Sequence, residues 1–312
     1  MIKKILITMS LSASLLIAQS ELTGSVGLGL GNSDVENNFF VHDDNDKISS
    51  INTEAKSINK NFVSPLLNLN YGSFSLNASA EEQRLSYSWK ENNAVYLKSN
   101  GLGIEQEFDN KIFYGLDYSV EDMYINPYSI NVNRKTDTAK ILNLNLGVNE
   151  LYDFLNIQYM HERLSLDDKV NKTEEQSYYK NQFNFMAKVL DFNENSNAHL
   201  GLIVGNGVYD GESNDYNKIG LKYEMELNFL NTHQLKLENS YEIYNFDEKN
   251  SYFNKERDEK VFAFKLIYNK AKFLNYKNVF LNTVLIKNTK NSNIDFFKSN
   301  QELFLVSIGY RF

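Results

Sequence analysis

Apolar and polar residues alternate along almost the whole chain beyond residue 20. The longest run sets Ile219, Leu221, Tyr223, Met225, Leu227 and Phe229 against Lys218, Gly220, Lys222, Glu224, Glu226 and Asn228. A period of two puts every apolar side chain on one face of a β-strand and every polar one on the other. Across a link at 230–232, Leu235, Leu237, Tyr241 and Ile243 answer with Lys236, Glu238, Ser240 and Glu242 between them. The same pattern recurs in 22–31, 63–71, 74–80, 112–121, 142–148, 155–160, 179–189, 198–204 and 262–268, so that Asp117, Glu121, Lys180 and Lys265 fall on polar faces. Three stretches are less regular. Leu85, Tyr87 and Trp89 shift parity, which implies a bulge; 94–108 reads as one strand; 277–286 is ambiguous. About fourteen strands are predicted.

The links alternate in length as the residues alternate in polarity. Short ones fall at Gly72, 109–111, 149–152, 191–196, 230–232 and 269–272, with longer polar ones mostly between them. Short turns at one end and long loops at the other belong to barrels that cross an outer membrane. A soluble sandwich has no reason to keep this order. It would also leave the aromatic faces uncovered, whereas lipid covers them and closure removes every sheet edge. The expected fold is all-β: one transmembrane antiparallel up-and-down β-barrel over residues 21–312.

The last strand carries the pattern to the final residue, with Phe304, Val306, Ile308, Tyr310 and Phe312 on one face. Chain ends fray unless something ties them down. This ending resembles the carboxyl-terminal insertion signal of bacterial outer-membrane, porin-like β-barrel proteins. The resemblance implies that the last strand pairs with the first and that the barrel-assembly machinery reads the signal. It also implies outer-membrane lipids and lipopolysaccharide as surroundings in a Gram-negative bacterium. Residues 44–52 (DNDKISSIN), Pro65-Leu66-Leu67, Asn126-Pro127-Tyr128, Lys135-Thr136-Asp137 and 306–312 are similar to a family of Gram-negative secreted barrels described only as a domain of unknown function. That likeness supports the barrel and supplies no activity.

Residues 1–20 read as a cleaved signal peptide. Lys3 and Lys4 precede a short apolar run, and Ala18-Gln19-Ser20 offers small residues at the cut before Glu21. The run is too short to span a bilayer as a helix. The chain has no cysteine, which removes disulfides, thiolate metal sites and cysteine catalysis. Cleavage would take two lysines from 32 basic residues and none from 40 acidic ones, leaving a net charge of about −10. Nucleic acid is therefore disfavoured as a partner. With 20 tyrosines and 21 phenylalanines against one tryptophan, composition favours strands and interfacial belts.

The polar faces suggest what the barrel does. Asp117, Glu121, Lys180, Lys218, Lys222, Glu224, Glu226, Lys236, Glu238, Glu242 and Lys265 are the lumen-lining candidates. A dry interior would have to desolvate them at several kcal/mol per ion, and roughly fourteen strands leave room for water. The reading is a passive diffusion channel for small polar solutes or ions, with no cofactor, metal site or catalysis. A slight excess of inward acids predicts weak cation preference. The alternative is a closed barrel, with Phe113, Tyr244 and Phe280 adding bulk, that displays acidic loops as a structural or adhesive surface. A hydrolase is the weakest reading: His42, His161, His199 and His233 are scattered, and no G-x-S-x-G occurs. The acidic loops around Asp34 to Glu54 and at Asp210, Glu212 and Asp215 lack the spacing of a calcium loop.

Overall fold

In a computed structural model of the chain, the described residues are 22–39, 41, 46–71, 74–79, 84–89, 93–98, 101–108, 111–167, 176–193 and 196–312. The expected signal peptide, His42, Asp43, Asp44 and Asp168 lie outside them. Sixteen strands follow one another: β1 (Leu22–Glu36), β2 (Ser57–Tyr71), β3 (Phe74–Ser79), β4 (Arg84–Trp89), β5 (Asn93–Lys98), β6 (Gly101–Glu107), β7 (Ile112–Tyr124), β8 (Thr136–Leu151), β9 (Leu155–Ser165), β10 (Tyr178–Asn193), β11 (Ser196–Tyr209), β12 (Tyr216–Phe229), β13 (His233–Asn250), β14 (Lys255–Ala271), β15 (Val279–Ser292) and β16 (Ser299–Arg311). Each pairs antiparallel with its neighbours in sequence, and β1 pairs with β16 to close the barrel.

The described residues form sixteen strands, against about fourteen expected. Residues 94–108 form two strands, β5 and β6, because Ser99-Asn100-Gly101 is a turn sequence inside the apparent run. The bulge expected at Leu85, Tyr87 and Trp89 is absent. They stand opposite Ala78, Leu76 and Phe74 in unbroken register within β3 and β4. Irregular registers occur instead in β10 between Lys188 and Leu190 and in β13 between Asn245 and Lys249. Strands also run further than predicted: Asn149, Asp191 and Asn269 are strand residues, and β15 continues to Ser292. The β12–β13 turn is the expected one, with Leu230 and Asn231 at φ 53° and 54°. Two successive left-handed residues match the right-handed twist of the flanking strands.

The outer face is an apolar band. Leu28, Leu200, Leu221 and Ile308 are half or more exposed on the protein alone, at 58%, 50%, 60% and 50%. Along the long-loop edge the register aligns Asn181, Asn206, Asn217 and Asn245 across four strands, ending the band in a row of amides. At the other edge Tyr152, Phe154, Phe192, Phe229, Tyr276 and Tyr310 are all exposed. From Ile219 to Phe229 the band spans ten steps, which at ~3.3 Å each and a tilt of ~40° is about 25 Å. That is the height of the lipid-facing belt of outer-membrane barrels.

The closing seam is continuous. Val26, Leu28 and Leu30 stand opposite Tyr310, Ile308 and Val306. Gly24 and Phe312 exchange two backbone hydrogen bonds of 3.0 Å each. The terminal residue is thereby part of the ladder.

Candidate functional site

Because partners across a ladder share a face, register decides which inward groups meet. Lys236 lies opposite Glu226, and Lys265 opposite Glu238, giving ion pairs of 3.0 and 4.0 Å. Lys222 pairs with Glu224 along β12 at 2.5 Å, and Lys218 reaches Glu242 at 2.7 Å. Lys180 pairs with Glu162 of β9 at 2.9 Å. Asp117 accepts a 2.8 Å hydrogen bond from Asn143, and Glu121 stands further up the same strand face beside Ala139. The acid-rich patch expected from counting charges is therefore a ladder of ion pairs, cross-strand except for Lys222 with Glu224, and close to neutral along β9–β14.

Amides continue the network between the charges. Gln158 donates to Asn145 (2.9 Å), Asn184 to Gln158 (2.8 Å) and Gln182 to Asn184 (2.7 Å), while Lys218 donates to Gln182. Near the short turns Gln234 donates to Glu226 (2.8 Å), Asn269 to Gln234 (3.1 Å) and Asn282 to Asn269 (2.8 Å). Such chains tie neighbouring inward amides together and hold their rotamers, although Asn282 Oδ1 is left without a donor.

Two of the three rings expected to fill the lumen do not project into it. Phe113 lies over Gly147 and Phe280 over Gly309, each on its directly opposite partner, where an added Cβ would overlap the ring. An aromatic laid on a cross-strand glycine covers bare backbone. Tyr244 differs, because its hydroxyl donates to Glu242 at 3.1 Å and accepts from Lys218 at 3.3 Å.

The long-loop mouth is roofed. Links 37–56, 125–135, 251–254 and 293–298 are rooted at separate places around the ring, yet Phe39, Tyr128, Phe253, Phe296 and Phe297 pack into one aromatic cluster. Tyr128 lies 5.0 Å from Phe296 and stacks on Tyr252 at 4.3 Å, and Phe39 lies 5.5 Å from Phe296. The first link crosses the mouth to meet the fourth long-side link: Tyr124 N donates to Phe39 O (2.9 Å), Asn131 N to Ile48 O (2.8 Å) and Arg134 N to Asp46 O (2.8 Å). Arg134 packs its guanidinium on the Tyr124 ring at 3.8 Å and donates to Asn38 O at 2.8 Å. Burial lowers Arg134 from the ordinary arginine value, and Tyr124 opposes that shift. Lys298 ties the roof edge by 2.7 Å contacts to Asp295 and Glu54, which hold its ammonium above the usual lysine range.

The three described histidines do not converge. His161 bonds Asn181 at 2.9 Å, His233 bonds the Tyr268 hydroxyl at 2.7 Å, and His199 faces Lys188 and Glu224 across its two ladders. Among the described residues no three His, Asp or Glu side chains are grouped to hold a metal ion. Glu162, Arg257, Glu259 and Lys290 are inward groups absent from the sequence-derived set. They lie beyond the predicted strand ends, although Arg257, Glu259, Val261, Ala263 and Lys265 continue one face without a break in parity.

A family model described as "Protein of unknown function (DUF2860)" matches residues 22–311. No curated protein matches the chain by sequence. Among solved structures the chain is similar to OccK3 (OpdO) of Pseudomonas aeruginosa, at 10% identity and a TM-score of 0.44, covering 93% of this chain and 96% of that one. It is similar to OpdQ of Pseudomonas aeruginosa at 8% identity and a TM-score of 0.43, covering 94% and 100% of the two chains. An anion-selective porin from Comamonas acidovorans follows at 12% identity and a TM-score of 0.42, covering 93% and 98%.

Proposed function

This chain belongs to the family described as protein of unknown function (DUF2860), whose description assigns no activity, so we propose one from the geometry: an outer-membrane channel that passes small polar solutes through a roofed, charge-paired lumen. The observation that carries this reading is the two-faced wall. Its outer face is a continuous apolar band, and its inner face from β8 to β16 is lined by ion pairs and amides that a dry core would not hold cheaply. Sixteen strands fall in the size class that leaves an aqueous channel. Reconstitution in planar bilayers tests it: discrete, stable conductance steps are expected, and a folded but electrically silent barrel refutes it. The aromatic roof favours the second reading, a closed barrel displaying its loops.

Two variants bear on the path. Replacing Phe296 and Phe297 together by alanine removes rings that are each 1% exposed, and a buried Phe→Ala change costs about 3–5 kcal/mol of packing. The roof should loosen and single-channel conductance rise; an unchanged conductance would put the roof outside the route. The triple change of Glu224, Glu238 and Glu242 to glutamine leaves Lys222, Lys265 and Lys218 without their carboxylates. Under a salt gradient the reversal potential should move towards anions, most at low ionic strength. A wild-type potential would show that this wall does not line the conduction path.

A further inference from the structure

Beneath the roof lies a cavity of about 400 Å³, bounded by Asn37 and Phe39 of the first link and by the inner faces of β9 to β15. That is the size of a small-ligand site. Its wall differs from the rest of the lumen in two ways. The first is aromatic. Tyr178, Tyr209, Tyr216 and Tyr244 form a chain of rings across four strands, with successive centroids 4.8, 6.3 and 4.9 Å apart. The hydroxyls at its ends are engaged, Tyr178 donating to Glu162 at 2.6 Å and Tyr244 to Glu242 at 3.1 Å. Those of Tyr209 and Tyr216 make no hydrogen bond to a described residue.

The second is charge. Lys180 and Lys218 each have a carboxylate of their own, Glu162 and Glu242. Arg257 and Lys290 share one, Glu259, at 3.5 and 3.8 Å, which leaves a local excess of one positive charge. Arg257 is only 7% exposed and is held between the Phe246 and Phe297 rings, 3.6 and 4.2 Å from their centroids. Its Nε and Glu259 Oε1 are the two atoms 3.5 Å apart, without hydrogen-bond geometry, so charge alone holds that pair. Phe246 in turn lies 5.5 Å from Tyr216, so the guanidinium and the free phenols border the same space. A buried guanidinium clamped by two rings presents its donor edge in a fixed plane, and a carboxylate is the acceptor that matches it.

We propose that this cavity binds a small monocarboxylate carried on a hydroxylated ring. Arg257 and Lys290 take the carboxylate, and the faces and hydroxyls of Tyr209 and Tyr216 take the ring. The proposal rests on the channel reading only in making this solute the one that crosses. Hydroxybenzoates and sugar acids share the chemistry. Calorimetric titration of the purified, detergent-folded barrel with 4-hydroxybenzoate, glucuronate, acetate and glucose separates the sources. One or both ring acids should bind saturably at one site, with acetate and glucose at least about tenfold weaker. Arg257→Gln should weaken binding about ten- to a hundredfold. Tyr209→Phe with Tyr216→Phe keeps the rings, covers the case in which Arg257→Gln does not fold, and should cost about tenfold. Acetate binding as tightly as the ring acids, unaltered binding in these variants, or no saturable binding by the folded barrel overturns the proposal. A barrel that binds but stays silent in bilayers refutes the channel and keeps the site; one that conducts but does not bind does the reverse.

Discussion

Deletion of Tyr310, Arg311 and Phe312 is expected to leave a chain that is secreted but never accumulates folded in the outer membrane. These three residues complete the closing seam. Tyr310 stands opposite Val26, Arg311 opposite Ser25, and Phe312 exchanges its two backbone hydrogen bonds with Gly24. Without them the lower end of β1 becomes a free edge in lipid, where each unsatisfied backbone group costs several kcal/mol. The deletion also removes two of the five alternating residues proposed as the insertion signal. Quantifying barrel in the outer-membrane fraction checks the result, and wild-type amounts would remove both roles at once. Phe312→Ala separates them, because it retains the backbone pair and loses only the aromatic side chain. A strong defect in that variant would belong to signal recognition.

Leu221→Arg is expected to destabilise the barrel by about 2 kcal/mol, since the cost of a lipid-facing arginine is about 2–4 kcal/mol at the midplane and falls towards either edge. Leu221 is 60% exposed and stands two of the ten band steps from its long-loop end. The matching inward change, Asn145→Arg, loses one 2.9 Å hydrogen bond from Gln158 and should cost about 0.5–1.5 kcal/mol. Urea unfolding in lipid vesicles measures both, and equal losses would mean that the two faces are misassigned. Gly220, next to Leu221 and the control that the alternation itself suggests, is unsuitable. A Cβ there would lie 2.6 Å from Glu242 Cγ and 2.7 Å from the Tyr241 carbonyl oxygen, so any side chain distorts the wall before charge matters.

The alternation by itself determined the barrel and the face of nearly every strand residue. A period of two is local: Ile219 to Phe229 must point away from Lys218 to Asn228 whatever the strand pairs with, and lipid outside with a polar interior suits both sets. The closing role of the last strand was legible for the same reason, since the pattern runs to Phe312. Strand ends and strand number were less legible, because the apolar signal stops at the edge of the lipid while the hydrogen-bonded ladder continues past it. Hence the pattern leaves Arg257, Glu259 and Lys290 outside its strands and runs 94–108 together as one. What only the tertiary structure decided is which charges cancel. Lys218 with Glu242 and Lys180 with Glu162 depend on the register between strands. The roof is further still from local pattern: Asn38 donates to the Phe296 carbonyl across 258 residues of sequence. Phe39, Tyr128, Phe253 and Phe297 carry no periodicity, and they become a cluster only because closure of the barrel brings four distant links over one mouth.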